Sequence, residues 1–196
     1  MTKKTIFSRL TLAAVLAIAS TGFIACGDDN DEPEVPATRG SSYVISFEFN
    51  EDVINTADIT AHIAKPDGTF SEEKVTKPNV SWTLTGNKLP DKAGVLLTFV
   101  PKNDIDPAKV YDISIKGSIA VSSLKNNKVV EYESYGKRSH MTVKGERLPE
   151  YYRARGIGFA HGINTNGELV KVDVDTFDFG LNGLWQRVAG WLSDSK

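Results

Sequence analysis

The chain has 196 residues, with 40% hydrophobic, 24% charged and 9% aromatic side chains and a formal net charge of −2. That length accommodates one ordinary domain of about 100–200 residues and excludes a large multidomain enzyme. From Ser42 onward 19 basic side chains stand against 20 acidic ones, so no basic field exists to hold a phosphate backbone, which argues against nucleic acid as a partner.

The first 25 residues carry Lys3, Lys4 and Arg9 and no acid, so their removal would take the net charge to −5. An apolar run from Leu10 to Ile18 follows, and small residues lead to Ala25-Cys26. This is the three-part pattern of a secretory signal. The run is short for a membrane span, which needs about 20 residues; extended through Ala25 it reaches that length, so a retained helix is the competing reading.

Phe23-Ile24-Ala25-Cys26 resembles a bacterial lipobox, with Phe where that pattern prefers Leu. The resemblance implies cleavage of residues 1–25 and acylation of Cys26, the one cysteine in the chain. Each buried acyl CH₂ contributes about 0.8 kcal/mol, so several chains hold a protein stably to lipid. With no second cysteine there is no intrachain disulfide, and stability must come from a core. Asp28, Asp29, Asp31 and Glu32 then resemble the export signal of surface lipoproteins in Bacteroidota. That resemblance implies an outer-membrane protein exposed on the cell surface; the alternative is a periplasm-facing one. Acids and prolines over residues 26–41 also fit a solvated, disordered tether.

Period-two alternation begins at Ser42. Tyr43, Ile45, Phe47 and Phe49 share one face, the mark of a half-buried strand. Weaker strands, Asp58–Ala64 and Thr69–Thr76, flank Lys65-Pro66-Asp67-Gly68, a tight-hairpin sequence. Val80, Trp82 and Leu84 alternate next, then Val95–Val100 runs apolar to Pro101. Tyr111, Ile113 and Ile115 alternate, as do Ile119 and Val121, before Asn126-Asn127 turns the chain into Val129–Glu133. No stretch from Ser42 to Val143 shows a convincing 3.6-residue period. Such spacing predicts an all-β sandwich, with a barrel as the alternative.

Ile105 to Ile115, with Pro107 and Tyr-x-Ile-x-Ile from Tyr111, resembles the corner leading into the penultimate strand of fibronectin type III and related immunoglobulin-like domains. There the tyrosine hydroxyl bonds back to the corner backbone. The resemblance implies a mainly β, immunoglobulin-like antiparallel β-sandwich over residues 42–146, with Tyr111 as the corner tyrosine and Trp82 in the core.

Residues 147–196 read as a C-terminal extension, a β-hairpin plus a short amphipathic helix. Ile157, Phe159, His161 and Ile163 alternate up to Asn164-Thr165-Asn166-Gly167, a hairpin signal. Val170, Val172 and Val174 alternate after it, and the phase slips near Thr176. Leu181, Leu184, Trp185, Val188 and Leu192 then form one helical stripe with Asn182 as N-cap. So short a helix does not persist alone in water, so the stripe is expected to pack on the β-domain and bury Trp185, with docking on a partner as the alternative.

No catalytic motif is present. The glycines of Gly156–Gly162 miss dinucleotide-loop spacing, and no helix follows them. His62, His140 and His161 have no second histidine or cysteine at ligand spacing, so no metal or other cofactor is expected. His161 shares an apolar face and reads as a core histidine. Asp173, Asp175 and Asp178 are the carboxylates to weigh. The first two, at i and i+2 on a strand, would lie roughly 7 Å apart, a spacing conceivable for calcium or glycoside hydrolysis and ordinary for a solvated strand face. Tyr151, Tyr152 and Trp191 are the candidate ligand-binding aromatics, since exposed rings stack on sugars. Tyr151 and Tyr152 would point to opposite faces of a strand, or else cover a junction.

The expectation is therefore a non-catalytic outer-membrane lipoprotein, not an enzyme, acting as a binding or assembly module at the cell surface. A glycan-binding accessory protein is the alternative, and a carboxylate-dependent glycan hydrolase the less favoured one. Its partners would be the membrane through the lipid, and a glycan or another surface protein.

Overall fold

The computed structural model describes residues 38–153 and 156–181. The signal peptide, Cys26, the acids Asp28, Asp29, Asp31 and Glu32, Trp191 and the helical stripe beyond Leu181 lie outside the described residues.

Alternation sets the strands. In β1 (Arg39–Phe49) every second residue from Ser41 is buried, ending in Phe47 and Phe49. It starts three residues before Ser42, where the tether was expected to end. A helix too short to show a period, α1 (Glu51–Thr56), carries the chain to β2 (Ala57–Ala64) and its hairpin partner β3 (Phe70–Val75). Then come β4 (Asn79–Gly86), β5 (Asp91–Pro101), β6 (Val110–Lys125) and β7 (Lys128–Lys144). A 3₁₀ turn (Gly145–Arg147) and α2 (Leu148–Arg153) lead to β8 (Gly156–Ile163) and β9 (Leu169–Lys171).

Two antiparallel sheets pack as a β-sandwich. One runs β4-β1-β6-β7 and the other β3-β2-β5-β8-β9. Between them lie Tyr43, Ile45, Phe47, Ile59, Val95, Leu97, Ile113, Ile119 and Phe159, all nearly or fully buried. The two apolar groups of β6 belong to one strand, because Gly117 keeps their phase. A Cβ there would sit 2.6 Å from the Phe159 ring and 2.9 Å from that of Phe47. Glycine lets the two rings meet at 5.6 Å.

The tyrosine corner is present. The Asp106 N–H donates to the Tyr111 hydroxyl at 3.0 Å, and Trp82 lies in the core with its indole N–H on Glu73 Oε2 at 2.8 Å. Tyr111→Phe is expected to cost about 0.5–1.5 kcal/mol, the net worth of one such bond, read as a lower urea midpoint at unchanged slope. The architecture is that of the immunoglobulin sandwich, but the strand order is different. An immunoglobulin domain pairs its first two strands; here α1 passes the chain from one sheet to the other, so β1 and β2 lie in different sheets.

The C-terminal region is not appended to a finished sandwich. β8 pairs along β5 from Asp91↔Ile163 to Thr98↔Gly156, and Phe159, His161 and Ile163 point into the core. The expected division at 146/147 therefore cuts through one sheet. The strand expected through Val174 stops at Lys171, where Asp173–Thr176 forms a turn closed by the Thr176 N–H on the Asp173 carbonyl at 3.2 Å. Beyond it Phe177, Phe179 and Leu181 lie on the outer face of the second sheet against Ala64, Leu96 and Ala160. Gly94 makes room for the Phe179 ring.

Candidate functional site

A sandwich exposes four strand edges, each a row of unpaired N–H and C=O groups that proteins normally blunt. Here β9 is three residues long. The exposed side chains of β3 include Glu72, Glu73 and Lys74. The eight residues of β4 expose Asn79, Ser81, Thr83 and Thr85, all polar. β7 differs. It has seventeen residues, only Val143 of them buried, and pairs with β6 alone among the described strands. Val129, Val130 and Tyr132 are 58%, 54% and 53% exposed.

Local chemistry explains how this edge is held out. Asn126 and Asn127 take φ of 51° and 60°, the left-handed pair of a type I′ turn whose twist matches a hairpin. The register slips at Ser123/Leu124, a bulge that bends the ribbon. The Thr38 N–H donates to Asn126 Oδ1 at 3.0 Å, so the chain enters the sandwich beside this turn. Behind the strand, Glu133 Oε2 lies 3.2 Å from His161 Nε2, and Glu131 Oε2 accepts the Leu169 N–H at 3.0 Å. Both carboxylates thus brace β7 against the other sheet. On the outer face His140 Nε2 meets Asp112 Oδ1 at 2.7 Å.

A second polar group lies inside. Asp91, 7% exposed, accepts the Tyr43 hydroxyl at 2.6 Å on Oδ1 and the Ser41 hydroxyl on Oδ2. Burial raises the Asp91 carboxyl above its ordinary range, and the two hydroxyls offset that only in part. Burial, then the neighbouring carboxylate, pushes the Tyr43 phenol far above its usual value. This network ties β1 to β5 and so one sheet to the other. The sequence signal for it is the alternation Asp91, Ala93, Val95, Leu97, Phe99, which puts the carboxylate on the inward face.

The end opposite Thr38, about 35 Å away along the eleven residues of β1, holds a groove of about 710 Å³ between the Phe99–Asn103 strand end, Ile105, Pro107 and α2. Its floor is apolar. Lys102 there already donates to the Ile54 carbonyl at 2.8 Å.

The expected aromatic platform does not form from Tyr151 and Tyr152. Both lie on α2 rather than a strand, and Tyr152 is 1% exposed. Its ring stacks on Phe99 at 5.7 Å and its hydroxyl bonds Thr56 at 2.8 Å; burial pushes that phenol up to about 12. Tyr151 is half-buried and packs edge-on against it. The pair closes the junction between α2 and β5. Asp173 and Asp175 do not share a strand face, since Asp173 Oδ1 accepts the Asp175 N–H at 3.0 Å within the turn. Asp178 likewise accepts the Gly180 N–H at 2.7 Å. Among the described residues no group of three His, Cys, Asp or Glu side chains is placed to hold a metal. His161 is fully buried, with Nδ1 3.0 Å from the Gly162 carbonyl, and His62 lies between Glu72 and Thr98.

The sequence matches no protein-family model and no curated protein.

Proposed function

We propose that this chain is a non-catalytic assembly module, held to the outer membrane through an acylated Cys26 with its sandwich at the cell surface, and that it works by accepting an extended strand along β7. The observation that carries the binding half is the contrast among the edges. The other three are at most eight residues long, while β7 has seventeen and, beside its charged side chains, shows Val129, Val130 and Tyr132 to solvent. Strand addition supplies affinity through main-chain hydrogen bonds and needs no pocket. The anchoring half rests on the lipobox-like Phe23–Cys26 and the acids behind it.

The test is a Val130→Lys/Tyr132→Lys chain. Neither side chain is buried, so the fold should survive, while charge on an edge strand is how natural edges refuse partners. The wild-type chain should migrate in native gels of gently extracted membranes as part of a larger complex, and the variant as a lone monomer with unchanged circular dichroism. A variant that stays in the complex would remove β7 from the account. Mass spectrometry of the mature N-terminus checks the anchor separately, with a free Cys26 thiol as the adverse result.

A further inference from the structure

We infer that the strand received by β7 is β7 of a second copy of this chain, running antiparallel about a two-fold axis through Tyr135. The inference rests on the reading of β7 as an accepting edge and adds the identity and register of what it accepts.

A strand that pairs with its own copy has to be complementary to itself. In an antiparallel pair, residues directly opposite lie on the same face with Cβ atoms about 4.5–5.5 Å apart, and like charges there are destabilising. A dyad at residue 133 puts Glu133 against itself, and one at 137 puts Lys137 against itself. A dyad at 136 sets Lys128 against Lys144. A dyad at 134 brings Glu131 to Lys137 but sets Arg138 against Val130 and Glu133 against Tyr135, leaving both charges without a partner across the seam. The dyad at Tyr135 meets no such conflict. It places Glu133 opposite Lys137 on the inner face and Tyr132 opposite Arg138 on the outer face, each twice.

The side chains are available for this. Lys137 and Arg138 are exposed. Glu133 keeps about a third of its side-chain surface, 34%, while one oxygen rests on His161. Tyr132, 53% exposed, offers a ring face to a guanidinium, a favourable contact. The joined β7 strands would fuse two four-stranded sheets into one of eight. Their two Thr38 entries would fall at opposite ends of that sheet. A stretch of 12 residues back to Cys26 spans at most about 40 Å, so both copies reach one membrane when the strands lie along it.

Cysteine scanning in cells producing the full chain tests the register. The chain has one native cysteine, Cys26, so an acylated protein offers only the introduced thiol. Ser134→Cys, Tyr135→Cys and Gly136→Cys are each oxidised on intact cells. Only a residue on the dyad faces itself, at a Cβ distance close to what a disulfide needs, so the covalent dimer should peak at Tyr135→Cys. A peak at 134 or 136, or no dimer at any position, overturns the inference.

Because Tyr135 is partly buried, a charge test keeps its ring intact. Lys137→Glu and Glu133→Lys, purified from membranes, should each weaken self-association roughly tenfold through two opposed like charges. An equimolar mixture should restore it, since in the mixed dimer the new carboxylate at position 137 meets the new ammonium at position 133 on one side of the axis and the native Glu133 meets the native Lys137 on the other. A mixture as weak as either variant alone also overturns the inference. If the chain is monomeric but Val130→Lys/Tyr132→Lys still releases it from a larger complex, strand addition stands and the second copy falls.

Discussion

A chain that stops at Glu146 is expected not to fold. It would keep every residue of the region resembling an immunoglobulin domain, yet lose the strand that flanks β5. β8 supplies Phe159 and Ile163, and α2 supplies Leu148 and Tyr152, each at most 1% exposed. Removing one such side chain from a core costs about 2–5 kcal/mol. The whole stability of a domain this size is about 5–15 kcal/mol, so losing four together exceeds it. The N–H and C=O groups of β5 that face β8 would also be bared across eight paired positions, Asp91 to Thr98. The measurement is urea unfolding followed by near-ultraviolet circular dichroism. The truncated chain should show no cooperative transition and little aromatic signal. A cooperative melt near that of the full chain would mean that β8 is an ornament.

The second large effect is expected at Asp91. Asp91→Ala leaves the Tyr43 and Ser41 hydroxyls, both fully buried, without their acceptor. An unsatisfied buried donor costs about 1–3 kcal/mol, so a loss of about 2–4 kcal/mol is expected, and Asp91→Asn, which keeps a carbonyl oxygen, should lose less. The same residue makes stability depend on pH. Burial raises its carboxyl in the folded state, so the native protein holds this proton more tightly than the unfolded chain does. The contribution is complete below the unfolded value of about 3.9 and is lost as pH climbs through the raised folded value. From this group alone, wild-type stability should fall as pH rises across that window, and the same interval should be flatter in Asp91→Asn. Urea midpoints taken in steps of pH on both proteins decide it; parallel curves would deny Asp91 the role.

Strands with one apolar face were legible. Tyr43 to Phe49, Tyr111 to Val121 and Ile157 to Ile163 alternate because each rests on the other sheet, and burial selects every second side chain. The tyrosine corner was legible too, since it needs only a proline-bearing turn and one hydroxyl within five residues. The second half of β7 was not. From Ser134 to Thr142 it shows no apolar alternation, because an edge ribbon exposed on both faces has no core to impose one. Hydrogen bonding to β6 holds it extended, and that partnership leaves no trace in composition. α1 and α2, six residues each, are too short to establish a period. Tyr151-Tyr152 misled for a related reason: adjacency fixes opposite faces only on a strand, and on α2 both rings turn toward the core. The candidate edge escaped notice because it is defined by what fails to pair with it, a property of sheet order rather than of any residue.

The chain's entry at Thr38 bears on how the protein withstands traction. β1 starts one residue later and is hydrogen-bonded on both sides, to β4 from Ser41 to Glu48 and to β6 from Arg39 to Phe49. Were the proposed anchor to pull on Thr38 along the axis of this interior strand, its ladder bonds would bear the strain side by side instead of opening one after another. Detachment under such a pull is a matter of unfolding rate, not of equilibrium free energy. A body moored in the proposed way would hold through brief jerks for as long as β1 takes to shear from its two neighbours.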